Sequence, residues 1–165
     1  MVGCTHLGGL FLRGAGVPKD EQRALNLFRK ACGAEEMQGC SALGWMFARG
    51  TGVPRDAPRA AGLFTKACDG GAAPGCQGLG WLSERGLGVP RDEARAAELF
   101  KRACDGGAMP GCMALGRLYN QGKGVPRDQV QAAALFRRAC EGGDRRACDV
   151  LTRKGEGSAE EDLDR

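Results

Sequence analysis

The sequence predicts an all-α chain, a solenoid of stacked helix-turn-helix repeats, and two observations carry that prediction. Cys4, Cys40, Cys76, Cys112 and Cys148 step by 36 residues, and Cys32, Cys68, Cys104 and Cys140 keep the same step. Between them, apolar residues recur at helical spacing in two runs per period. A period of this size marks a supersecondary unit that buries its apolar face only by stacking on its neighbours. In register, residues 3–38, 39–74, 75–110 and 111–146 are four units of 36 residues, and Ala147 starts a fifth that stops early. One solenoid is therefore expected over 1–155, with 147–155 as a partial capping helix and 156–165 as an acidic tail.

The third unit shows each element in order. Its first helix is expected from about Pro74 to Arg85, with Cys76, Leu79, Gly80 and Ser83 at i, i+3, i+4 and i+7 facing the core. The last of these positions is Phe11, Phe47 and Tyr119 in the other units, so it is usually a core aromatic. Gly86 ends the helix in a left-handed conformation, and Arg85 before it suits the negative end of the helix dipole. Gly88-Val89-Pro90 cannot continue a helix, and Asp92 caps the next one. That second helix, from about Asp92 to Cys104, carries Ala96, Leu99, Phe100 and Ala103 as a narrow apolar stripe. Asp105-Gly106-Gly107 stops it, and Pro110 sits in the first turn of the following helix.

Gly44, Gly80 and Gly116 fall inside first helices, where glycine costs about 1 kcal/mol against alanine. Close approach of a neighbouring helix is the expected reason. The first unit departs most from the pattern, with Cys32-Gly33-Ala34-Glu35-Glu36-Met37 at its turn, and a turn of different detail is expected there. His6, the one histidine, has no second histidine to work with and is expected at the surface.

The pattern Leu79-Gly80, Gly86-x-Gly88-Val89-Pro90-x-Asp92 and Ala96-x-x-Leu99-Phe100-x-x-Ala103 resembles the Sel-1-like repeat, a relative of the tetratricopeptide repeat. Cys104 and Cys112, with seven residues between them, are similar to the pairs of its helical cysteine-rich subfamily. The likeness covers about residues 3 to 151. It implies a right-handed superhelix whose extended surface takes protein partners, usually without an enzyme site. It also implies disulfides between adjacent helices: Cys32 with Cys40, Cys68 with Cys76, Cys104 with Cys112, and Cys140 with Cys148. Cys4 is left unpaired.

Those pairings imply an oxidising compartment, such as a periplasm, an extracellular space or a mitochondrial intermembrane space. Other readings of the cysteines stand beside this one. Zinc sites prefer two to four residues between paired ligands and four ligands on one ion. A redox enzyme wants a CxxC-type pair, and the sequence has none. Reduced cysteine as a small apolar residue is a further reading, since both positions commonly hold alanine in the Sel-1-like repeat.

Composition fits a scaffold. With 42% hydrophobic, 27% charged and 5% aromatic residues, the chain can build a continuous core from Ala, Leu and single Phe residues. Few aromatics also argue against a stacking platform for nucleic acid. The net charge of +4 is modest, and no basic tract stands out, so no nucleic-acid partner is expected. No apolar run is long enough to span a bilayer.

The expected partner-binding row lies on the first helices. With Cys40, Leu43, Gly44 and Phe47 facing the core, Ser41, Trp45, Ala48 and Arg49 fall on the other side or its flank. Trp81 and Arg85 hold the same positions in the next unit, and Arg117 follows in the fourth. In tetratricopeptide relatives the first helices line the concave face, so a protein or peptide would meet Trp45, Arg49, Trp81, Arg85 and Arg117 there. Trp and Arg are enriched at binding hot spots. The alternative is that both tryptophans pack against a neighbouring helix.

The chain is thus expected to be a monomeric, non-enzymatic protein-interaction scaffold needing no metal or cofactor. A penicillin-binding or weakly β-lactamase-like activity, described for helical cysteine-rich proteins, is the alternative. Against it, Ser41, Ser83 and Ser158 are followed by Ala-Leu-Gly, Glu-Arg-Gly and Ala-Glu-Glu, so none offers Ser-x-x-Lys. A redox-coupled assembly factor is a further alternative. At the start, Met1-Val2-Gly3-Cys4 enters a helix already in register, with no signal peptide visible. A partner for Cys4 would lie before Met1, so a truncated or misassigned start is expected. At the end, Cys148 and Leu151 keep core positions, Thr152 replaces the packing glycine, and the acidic run from about Gly155 is expected to be disordered.

Overall fold

The computed structural model describes residues 2–161, with side chains for residues 3–153. Among them the secondary structure is helical throughout: α1 (Val2–Arg13), α2 (Glu21–Gly33), α3 (Met37–Arg49), α4 (Ala57–Asp69), α5 (Ala73–Arg85), α6 (Glu93–Asp105), α7 (Met109–Gln121), α8 (Gln129–Glu141) and α9 (Arg145–Glu161). Each helix packs on the next, and first helices also meet across units, α1 on α3 and α3 on α5. This is the expected helical solenoid.

Local chemistry sets the boundaries. Asp20, Asp56, Asp92 and Asp128 cap the second helices, their carboxylates accepting from the backbone N–H three residues on at 2.9–3.0 Å. Gly50, Gly86 and Gly122 end first helices with φ of 71°, 66° and 66°. At the first unit's turn, Glu35 adopts φ 60°, the left-handed conformation that Gly71, Gly107 and Gly143 hold in the other units. The turn differs in detail, as expected, with φ 60° at Glu35 against 85–99° at the glycines, but it stays left-handed because the helices on either side fix where the chain must reverse.

The core is built from Phe28, Phe64, Phe100 and Phe136, one per second helix, each over the interior glycine of its own unit. A Cβ at Gly44 or Gly116 would stand within 2.8 Å of the Phe64 or Phe136 ring, so the close approach is that of an aromatic ring. Four disulfides join the second helix of one unit to the first helix of the next: Cys32–Cys40, Cys68–Cys76, Cys104–Cys112 and Cys140–Cys148, with S–S distances of 2.01–2.07 Å. Cys4 is free. In this structure these eight sulfurs are bonded in pairs, not reduced thiols packed as small apolar groups.

His6 is exposed. The backbone of α9 continues to Glu161, past residue 155, where the sequence reading ends the cap and begins a disordered tail. Helix-forming Ala159, Glu160 and Glu161, with no proline near them, accommodate that continuation. Residues 162–165 of the expected tail, and the side chains from 154 on, lie outside those described.

Candidate functional site

The side of α3, α5 and α7 turned away from the phenylalanines is the one that sequence reasoning singles out. It is more covered than expected. Ser41 and Ala48 are buried, 2% exposed each, because α3 packs on α5 as well as on its own second helix. Ser41 meets burial by donating its hydroxyl to the Met37 carbonyl at 3.1 Å. Met46, Leu82 and Leu118, one position beyond the tryptophan register, are also core residues.

Trp45 and Trp81 are both half-buried and touch. Their ring centroids lie 5.8 Å apart at a tilt of 54°, and Trp45 also meets Phe64 edge-on at 5.0 Å. Helix packing and surface presentation are therefore not alternatives here, since each indole packs on a neighbour and keeps part of itself accessible. Arg49 lies over the Trp45 ring at 4.7 Å and Arg85 over the Trp81 ring at 4.9 Å, the same unit repeated at the next turn of the solenoid. Neither guanidinium pairs with a carboxylate among the described residues.

Arg117 has an ion-pair partner that the sequence reading did not name. Its guanidinium is held by Glu84, across the unit boundary, at 2.7 Å. Glu84 sits one turn after Trp81 on α5, where it can reach the next first helix. Arg117 is thus a fixed, largely neutralised cation beside Trp81.

Trp81, Arg85 and Arg117 line one depression of about 390 Å³ between the third and fourth units, floored by Phe100, Met113 and Ala114. Arg146, at the start of α9, also lines it. Asp144 holds Arg146 at 3.0 Å and accepts its backbone N–H at 3.1 Å. The hydrogen bond from Arg146 keeps the Asp144 carboxyl below its ordinary range, against an opposing effect of burial, and Asp144 raises Arg146 in turn. Sequence reasoning passed over this pair. Its signal is there, because Asp144 and Arg146 stand where the earlier units have Ala72 with Pro74, and Ala108 with Pro110.

The two serines whose side chains are described are both enclosed. Ser41 is committed to a backbone carbonyl, and Ser83 is fully buried with no hydrogen-bond partner. Among the described residues there is no group of three or more His, Cys, Asp or Glu side chains placed to hold a metal ion, and no helix is long and apolar enough to cross a membrane.

Four stretches of the chain, residues 2–34, 38–71, 73–107 and 110–144, match the family model of the Sel1 repeat. Among solved structures, the chain is similar to a protective antigen present in uropathogenic Escherichia coli strains that displays an SLR fold. The two are 31% identical with a TM-score of 0.76, over 90% of this chain and 32% of the antigen. A Sel1 repeat protein from Oxalobacter formigenes shares the fold at TM-score 0.82 and 22% identity, over 90% of this chain and 59% of that one. Cysteine rich protein B of Helicobacter pylori is 32% identical with a TM-score of 0.64, over 80% of this chain and 95% of that one. This chain therefore spans about a third of the first relative, three-fifths of the second and nearly all of the third. Comparison with curated proteins gives no match.

Proposed function

The chain belongs to the Sel1 repeat family, and we propose that it is a non-enzymatic scaffold that holds a protein or peptide across Trp45, Arg49, Trp81, Arg85 and Arg117. Sel1 repeat proteins are known as protein-interaction scaffolds. The observation that carries the site is the contact between two Trp–Arg units on successive first helices, 5.8 Å apart at their rings. Two half-exposed indoles with a guanidinium on each form a rigid surface that loses little side-chain freedom when a partner lands on it. The row lies on first helices, which line the concave face in tetratricopeptide relatives, and one chain supplies the whole of it, as a monomeric scaffold would.

Enclosure of Ser41 and Ser83 favours this reading over a serine-based lactam-directed enzyme. Disulfide stapling between units stiffens a fold in which each unit touches little beyond its neighbours. Four disulfides and a cysteine-rich relative suggest an oxidising, extracytoplasmic environment. A periplasmic or secreted location is our reading.

Affinity capture from the source cells, compared between the native chain and a Trp45→Ala/Trp81→Ala double variant, tests the site. Loss of the captured partner, with helical circular dichroism intact, is the expected result. Equal capture by the double variant would remove the row from the function.

A further inference from the structure

We infer that the depression between the third and fourth units receives an acidic peptide segment of the partner, with one large apolar side chain seated between carboxylates. The inference rests on the scaffold reading and deepens it by naming the chemistry of what is held.

The floor and the rim of the depression ask for different things. Trp81, Phe100 and Met113 offer apolar surface, and about 390 Å³ is room for one large side chain with its flanking backbone. Around that floor stand Arg85, Arg117 and Arg146, with Glu84 as the single carboxylate among the lining residues. Arg117 and Arg146 are already held, by Glu84 and Asp144, so they are fixed donors rather than free charges. Arg85 is different. It is exposed, laid over Trp81 at 4.9 Å, and forms no ion pair among the described residues. Arg49 repeats that arrangement one unit earlier, over Trp45, which touches Trp81. The free positive charge therefore runs along the tryptophan pair and ends at the apolar depression.

A guanidinium stacked on an indole keeps its N–H edge free for a carboxylate, which it can bind through two parallel hydrogen bonds. The stacking also sets its orientation in advance, so little freedom is lost on pairing. A nucleic acid is less well served, because the sequence has few aromatics and no basic tract, so neither a run of stacking platforms nor a continuous basic groove extends the pair. A short acidic peptide meets the fixed guanidinium edges and the apolar floor together.

The probe is an array of fluorescein-labelled peptides, each with a central Leu, Phe or Trp flanked by Asp/Glu, Asn/Gln or Lys, bound to the full chain. The acid-flanked peptides are expected to bind at least tenfold more tightly than their amide counterparts, with the preference shrinking as salt rises. Arg85→Glu should abolish that preference while helical circular dichroism stays unchanged. Glu84→Gln should sharpen it by a few-fold, because it frees Arg117 from its intramolecular pair. That gain separates a charge-reading site from a merely packed one. Equal binding of acid and amide peptides, or a preference for Lys, would overturn the inference and leave the tryptophan row standing. An oligonucleotide of equal charge that binds as well as the acidic peptides would assign the surface to polyanions and overturn it too. Failure of the scaffold reading shows elsewhere, in unchanged partner capture by the Trp45→Ala/Trp81→Ala variant.

Discussion

Gly80 lies directly beneath the ring of Phe100: a Cβ built on Gly80 would stand 2.8 Å from Cε1 of that ring, inside van der Waals contact. Phe100 is itself 2% exposed, held among the helices of its unit and the next. The glycine is thus the space that the aromatic ring occupies, and the interior of α5 accepts its poor helix propensity to let α6 come close.

From that contact, Gly80→Ala should destabilise the protein by about 1–3 kcal/mol, the usual range for overpacking a filled core. Gly62 supplies the opposite case, on a second helix. It is exposed within α4, and a Cβ there would meet nothing within 4 Å. Gly62→Ala should therefore stabilise by up to about 1 kcal/mol through helix propensity alone. Urea unfolding of both variants checks the pair. Equal and small effects would mean that the ring over Gly80 gives way freely.

The repeat made most of this legible before any coordinates. The period fixed the solenoid, and Asp92, Gly86 and Pro90 marked where helices begin and end, because caps and breakers act locally. What failed to show was contact between units. Ser41 and Ala48 read as surface because a helical wheel describes one helix against one partner, whereas α3 is covered by α4 and α5 together. The ion pair of Arg117 was not legible because its partner, Glu84, lies 33 residues away in sequence. Glu35 shows the limit from the other side, since a non-glycine residue holds φ 60° where the pattern asks for glycine. Asp144 and Arg146 were visible only as departures from the repeat, and departures carry the individual chemistry that the shared residues cannot.

The Asp144–Arg146 pair predicts a specific pH response. The Asp144 carboxyl is held below its ordinary value of 3.8, first by the hydrogen bond from Arg146. A carboxylate whose value is lowered by folding contributes stability that is complete above the ordinary value and disappears as pH falls through the folded one. Asn at this position can still cap α9 but carries no charge. The thermal midpoint of the native chain should therefore fall more steeply below pH 3.8 than that of Asp144→Asn, while the two run parallel above it. Parallel curves throughout would show that the pair contributes nothing to folding.

The disulfides are not equivalent, and burial orders them. The three inner pairs are buried, each cysteine no more than 6% exposed, because another unit stacks on either side. Cys140 and Cys148 are only half-buried, since α9 has no further unit beyond it among the described residues. Thiol–disulfide exchange needs access to a sulfur as well as a favourable potential. Alkylation in denaturant without reductant should find one free thiol, on Cys4, in the folded, oxidised protein. Limited treatment with a phosphine reductant before alkylation should then label Cys140 and Cys148 ahead of the other six. Closing a loop of this size contributes about 2.5 kcal/mol in the chain-entropy account, less any strain. Replacing both cysteines by serine should therefore lower stability by up to about that much. Because the missing staple holds only α9, the loss should concentrate there in hydrogen exchange and leave α3 to α6 protected. Labelling of all eight bonded cysteines at one rate would mean that the solenoid opens as a whole, and that burial by neighbouring units does not protect the inner staples.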